Sequence, residues 1–126
     1  GRSIGTTVAT ELAQNKKVGG LILISPLSTA RDQASAMGLG FGASLAGSAF
    51  DNVSKIKNVI SPLLVIHGSA DNIIPIHLGR KVFNEANTVK FFHEITGAAH
   101  NNLSSLYKKS LFQAIHNFIE MTKNQN

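Results

Sequence analysis

Three short apolar runs, each closed by a turn residue, constrain this chain more than any other feature. They are Gly20-Leu-Ile-Leu-Ile24, Pro62-Leu-Leu-Val-Ile-His67 and Val89-Lys-Phe-Phe-His-Glu-Ile95. The first two are continuously apolar, as strands buried on both faces of a parallel sheet are. The third alternates more, as an edge strand does. Pro26 and Gly68 close the first two runs, and Gly97 follows the third. Helical patterns lie between and around them. Ile4, Val8 and Leu12 recur at four-residue spacing beside Ala9 and Ala13, fading near Asn15 and Gly19-Gly20. Residues 76–87 predict a second helix, with Pro75 in its first turn. Leu103, Leu106, Tyr107, Leu111, Ile115, Phe118 and Ile119 form a long stripe at helical spacing, for which Asn101 or Asn102 serves as N-cap. Strands alternating with helices imply βαβ units, and hence an α/β fold on a parallel sheet.

At 126 residues, 43% hydrophobic and 15% charged, the chain has the make-up of one globular domain. Its apolar runs are far shorter than the ~18 residues that a membrane-spanning helix needs, so no transmembrane segment is expected. It has no cysteine, which excludes a disulfide scaffold, a thiolate zinc site and a cysteine nucleophile. That absence is compatible with a reducing compartment, and the cytoplasm is the expected location. The net charge is +5 and the pI near 9.8. The basic residues are scattered, half of them as the pairs Lys16-Lys17, Arg80-Lys81 and Lys108-Lys109, which read as solvated helix faces. With no basic cluster and no stacking pattern of an RNA-binding sheet, a nucleic-acid partner is not expected. Contact of a larger parent protein with a membrane surface stays open.

Residues 34–49 are rich in Gly, Ala and Ser and lack a firm period. They read either as a short helix with loose ends or as a mobile segment over a site. The glycines at 38, 40 and 42 are not a phosphate loop, because no strand feeds into them. No cofactor is expected.

The chemistry gathers at three places. Gly1-Arg-Ser-Ile-Gly5 matches G-x-S-x-G, the pattern of a serine on a strained strand-to-helix turn. Glycines two residues to either side let neighbouring chain pass close by. The hydroxyl then stands at the start of the following helix, whose dipole and free N–H groups favour negative charge. The N–H of Ile4 is one such oxyanion donor. A chance match in a chain this long is a roughly 4% event, and the helical pattern directly behind the motif adds weight. A serine needs a base, and the base needs an orienting acid. Asp71, in His67-Gly-Ser-Ala-Asp-Asn-Ile-Ile-Pro75, follows the second strand; His100, in Thr96-Gly-Ala-Ala-His-Asn-Asn102, follows the third. Groups beyond the carboxyl ends of parallel strands share one edge of the sheet. Each residue also has a plain reading: Ser3 as a small turn residue, Asp71 as a turn former, His100 as a loop residue near a helix start. Order and placement together favour the chemical one.

The other candidates are weaker. His67 ends a buried strand and reads as packing against the active edge. His93 lies inside the third strand, His116 lies off the last helical stripe, and His77 begins a helix where a cation is disfavoured. Asp32 reads as a first-turn helix charge. No His-x-x-x-His or Glu-x-x-His pair offers a metal site.

Taken together, Gly1–Gly5 with its helix, Leu-Ile-Leu-Ile-Ser-Pro-Leu-Ser-Thr-Ala-Arg-Asp at 21–32, Phe50 through Asp71, and Gly-Ala-Ala-His-Asn-Asn at 97–102 resemble an α/β-hydrolase. The likeness is nearest to the depalmitoylase-like branch of serine hydrolases and its uncharacterised aminopeptidase- and esterase-like relatives. It implies a three-layer, doubly wound parallel sheet of which residues 1–126 are the C-terminal part, from the nucleophile elbow onward. It implies Ser3 as the acylated nucleophile, His100 as base and then acid, Asp71 as orienting carboxylate, and Gly1 and Gly5 as the elbow glycines. The substrate implied is an ester or thioester, with the acyl group on a lipid or protein. The resemblance also implies that the early strands and the second oxyanion loop are absent, so the strand at 20–24 exposes an apolar edge. Residues 34–49 would match a short variable insert. Two alternatives stand beside this reading: a truncated, non-catalytic interaction fragment that keeps the triad residues, and an acyltransferase.

Overall fold

A computed structural model describes residues 1–38 and 50–123. The residues from 39 to 49, and with them most of the Gly/Ala/Ser-rich stretch, lie outside the described residues. The elements run α1 (Gly5–Asn15), β1 (Leu21–Ile24), α2 (Ala30–Ala36), α3 (Asn52–Ile56), β2 (Leu63–Gly68), α4 (Ile76–Glu85), β3 (Lys90–Ile95) and α5 (Lys108–Lys123). The three expected strands are present. They form one parallel sheet in the order β1-β2-β3.

β2 explains the layering. All six of its residues are buried, and its side chains alternate between two cores. Leu63 and Val65 face a cluster with Leu21 and Leu23 of β1 and with Ala13, Ile56, Val59 and Val82 from α1, α3, the turn after α3 and α4. Leu64 and Ile66 face the opposite cluster, with Ile95 of β3 and with Leu103, Leu111, Ala114 and Phe118 from α5 and the loop before it. Helices therefore cover both faces, giving three layers. β3 is an edge strand with only Ile95 buried. Its Lys90 sends Nζ back to the carbonyls of Phe83, Asn84 and Ala86 at the end of α4, satisfying acceptors the helix cannot.

The structure departs from the sequence expectations in four places. The last helix starts at Lys108, not after Asn101 or Asn102. Asn102 Oδ1 accepts instead from the N–H of Ala99 at 2.8 Å, and its carbonyl takes the N–H groups of Leu106 and Tyr107. Its polar groups are thus spent on closing a turn, and Leu106 of the expected stripe is 77% exposed. Pro75 stands at the N-cap of α4 rather than inside its first turn. The four-residue apolar repeat of α1 is not the face it buries: Ile4, Val8 and Leu12 are exposed, while Thr6, Thr7, Thr10 and Ala13 are inside. α1 lies so close to the chain before it that a Cβ on Gly1 would come within 2.9 Å of Ala9 Cβ; only small side chains fit there. Lastly, β1 stays at the edge of the three-stranded sheet, but the C-terminal end of its outer edge is paired. Gly1–Ser3 pairs with it, Ile24 N–H donating to Gly1 O and Ser3 N–H to Ile24 O.

Among the described residues no helix is long and apolar enough to cross a membrane. The α5 layer depends on Phe118, 2% exposed and so close to Gly20 that a Cβ there would stand 2.8 Å from its ring. Phe118→Ala is therefore expected to destabilise the fold by about 3–5 kcal/mol, measured by urea unfolding followed by circular dichroism. A loss well under 1 kcal/mol would mean that α5 is not anchored there.

Candidate active site

The site is an extension of the sheet. Ser3 N–H donates to Ile24 O at the end of β1, Ser25 N–H to Ile66 O near the end of β2, and Ser69 N–H to Ile95 O at the end of β3. All three departures lie along one edge. Ser3 then turns sharply into α1 with φ of 54°, in the left-handed region that a non-glycine residue rarely enters. The tight turn explains Gly1, whose Cβ would stand 2.6 Å from Gly5 O. It does not explain Gly5, where a Cβ would meet nothing within 4 Å; the expected close approach on that side is not made by the described residues.

Ser3 Oγ lies 3.0 Å from His100 Nε2, and His100 Nδ1 lies 2.9 Å from Asp71 Oδ2. Three side chains far apart in sequence thus form one line of hydrogen bonds. Asp71 and His100 are buried, and each is held from behind. Asp71 Oδ1 accepts the N–H groups of Ile73 at 3.0 Å and Ile74 at 2.8 Å, a local turn typical of Asp. The His100 carbonyl accepts from the Arg2 guanidinium at 3.0 Å, joining the histidine loop to the serine turn. Burial pushes the Asp71 carboxyl up, but hydrogen bonds from His67, His100, Ile74 and Ile73 outweigh it, and the pKa falls from 3.8 to about 2. Asp71 is therefore ionised across the physiological range, and Nδ1 of His100 carries the proton that it accepts.

Ile4 stands at the N-cap of α1, which has no side-chain cap and no acidic residue in its first turn. Its backbone N–H belongs to the set that a helix start leaves without an intrahelical acceptor. The positive end of α1 therefore meets no competing anion beside Ser3.

Sequence reasoning missed the braces of the turn. Thr6 Oγ1 donates to Ser3 O at 2.6 Å, and Asn52 Nδ2 reaches both Thr6 Oγ1 at 3.2 Å and Leu27 O at 2.9 Å. Asn52 is fully buried. Nothing in the local sequence marks these partners, because only the packing of α3 on α1 brings Asn52 to Thr6. Arg2 was legible only as an x of the motif.

The remaining candidates fall elsewhere. His93 Nε2 lies 3.2 Å from Ser110 Oγ across the β3–α5 interface. His77 and His116 are exposed. Asp32 lies in the first turn of α2, its N–H held by the Thr29 cap and its carboxylate by Lys81 and Ser28. His67 is buried behind Asp71. Among the described residues no three His, Cys, Asp or Glu side chains gather as metal ligands.

With this geometry in hand, likeness to known proteins becomes informative. No family model matches the chain. It is 32% identical over 106 residues to human alpha/beta hydrolase domain-containing protein 17B, covering 82% of this chain and 35% of the relative. It is 31% identical over 113 residues to the lysophosphatidylserine lipase ABHD12 of Rattus norvegicus, covering 75% of this chain and 28% of the relative. Among solved structures, the acylaminoacyl peptidase of Pyrococcus horikoshii superposes with a TM-score of 0.79 at 17% identity, over 95% of this chain and 23% of that one. The monoacylglycerol lipase of Paleococcus ferrophilus gives a TM-score of 0.73 at 20% identity, over 97% and 67%. The chain belongs to the α/β-hydrolases. It spans about a third of the length of the curated relatives that it matches, and its three-stranded sheet with helices on both faces is part of the α/β-hydrolase fold.

The depressed Asp71 carboxyl makes a prediction for this chain. Its folded value near 2 lies below the ordinary 3.8, so between the two the folded state binds fewer protons than the unfolded one. The stabilisation is complete above about pH 4 and is lost as the pH falls through about 2. Asp71→Asn should therefore lose stability less steeply than wild type between pH 4 and 2, in urea unfolding at stepped pH. Equal slopes would show that the carboxyl is not depressed.

Proposed function

We propose that this chain is the C-terminal part of a single α/β-hydrolase domain that cleaves an ester or thioester through an acyl-enzyme on Ser3. The observation that carries the reading is the Ser3–His100–Asp71 line, with contacts of 3.0 and 2.9 Å, at the start of a helix with no acid of its own. Similarity to a lysophosphatidylserine lipase supports an ester as substrate class.

The chemistry follows from these positions. Ser3 Oγ attacks the acyl carbon while its proton passes to His100 Nε2. The carbonyl oxygen becomes an oxyanion, and the Ile4 N–H at the head of α1 donates to it. Collapse breaks the C–O or C–S bond, and the proton on Nε2 goes to the departing alcohol or thiol. Water then attacks the acyl-serine, giving its proton to the same nitrogen, and the carboxylic acid leaves with Ser3 restored. Asp71 keeps the Nδ1–H of His100 pointed inward and stabilises the imidazolium in both halves. In the α/β-hydrolase template a second oxyanion donor comes from a loop after an earlier strand; losing one such donor costs about 10²–10³ in rate.

The test is a fluorophosphonate probe, applied to the 126-residue chain and to the product of its complete coding sequence. Labelling of the complete product is expected, and Ser3→Ala should abolish it. Asp71→Asn should slow turnover of a short acyl ester by about 10⁴-fold in protein that is still folded at the assay temperature, although its melting midpoint at neutral pH falls with the lost carboxylate. If the complete product shows no Ser3-dependent labelling, the hydrolase reading is wrong; the non-catalytic fragment reading then takes its place. An acyl-enzyme that partitions to an added alcohol in preference to water would instead mark an acyltransferase.

A further inference from the structure

We propose that His67 is a positioning residue for this site, clamping the Asp71 turn so that Oδ2 meets His100. The proposal rests on the serine-hydrolase reading above. His67 lies at the end of β2 and is fully buried. Its Nε2 stands 2.6 Å from Ile74 O, and a carbonyl can only accept, so Nε2 carries the proton. The same nitrogen is 3.5 Å from Asp71 Oδ2, the oxygen that receives His100 Nδ1. That N–H bonds Ile74 O at one end of the 71–74 turn, and the same nitrogen lies within ion-pair distance of Asp71 Oδ2 at the other. Asp71 Oδ1 is already fixed by the N–H groups of Ile73 and Ile74. His67 is what holds the other side of the carboxylate, independently of the histidine that the carboxylate must orient.

The ring is itself held by a close backbone approach from α4. A Cβ on Gly79 would stand 2.2 Å from His67 Nδ1 and 3.0 Å from Cε1, so glycine at this helical position makes room for the imidazole. Nδ1 has no hydrogen-bond partner among the described residues; the ring is packed at one end and directed at the other. The charged side chains next along α4 are engaged elsewhere, Arg80 with Glu94 and Lys81 with Asp32. The ring's polar partners are Ile74 O and Asp71 Oδ2, not Ser3. It acts through Asp71.

Two readouts on the product of the complete coding sequence test this. The first is the low-field proton resonance of His100 Nδ1–H, which needs no substrate. The second is the fluorophosphonate reaction at Ser3, separated into its maximal acylation rate and its half-saturating probe concentration. His67→Phe should lose the resonance and acylate about ten- to a hundredfold more slowly, with half-saturation unchanged. His67→Gln, whose amide can donate to the same acceptors, should recover the resonance and most of the rate. Gly79→Ala, which presses on the ring from α4, should weaken both. The proposal is overturned if the resonance and the acylation rate stay at wild-type values in folded His67→Phe or, should that variant not fold, in Gly79→Ala. Wild-type protein that never labels sinks the hydrolase reading alone, because the resonance still decides what His67 does.

Discussion

A strand buried on both faces must pair its backbone groups along both edges, because no water reaches them. β2 is such a strand, and the rest of the molecule is arranged around its ladder. β1 and β3 run parallel to it, so three chain segments leave the sheet at the same edge. The ladder then continues past the strands themselves, through Ser3 N–H on Ile24 O, Ser25 N–H on Ile66 O and Ser69 N–H on Ile95 O. Ser3, Asp71 and His100 meet because each follows closely on one of these hydrogen bonds. Their alignment is a property of the sheet carried one step beyond its end.

That scaffold is what allows polar and strained groups inside. A non-glycine residue in a sparsely populated backbone region costs on the order of 1–3 kcal/mol. Ser3 persists there because Ile24, Thr6 and, through Thr6, Asn52 hold its backbone. The buried Asp71 keeps its charge because four donors compensate for lost water. The site therefore relies on small polar residues that no motif includes, and on glycines that admit neighbours. Gly1 admits α1, Gly79 admits the His67 ring, and Gly68 lies so near the histidine loop that a Cβ would stand 2.3 Å from Ala98 O.

Much of this could be read in advance from local pattern. The continuous run Leu63–Ile66 marks a strand buried on both sides. Gly-Arg-Ser-Ile-Gly marks a strained turn before a helix, and Asp71 and His100 follow strands in the right order. What resisted reading was decided by contacts between distant segments. Ile4, Val8 and Leu12 have helical spacing, yet the close approach at Gly1 turns the threonine face inward. Leu106 belongs to an apolar stripe, yet the turn closed by Asn102 leaves it outside the helix. Asn52 carries no local signal, since its partners are 25 or more residues away; His67 could be placed against the active edge, but not its bond to Ile74.

The sequence by itself determined the α/β class, the three strands and the strand-end positions of Ser3, Asp71 and His100, because period, turn residues and strand-end placement are local properties. Only the tertiary structure decided which face of α1 is buried, where α5 begins, and which side chains steady Ser3 and Asp71. Those outcomes depend on how closely two backbones approach. A linear pattern holds no distances between segments, and the ångströms at Gly1, Gly79 and Asn52 appear only when the sheet has brought the segments together.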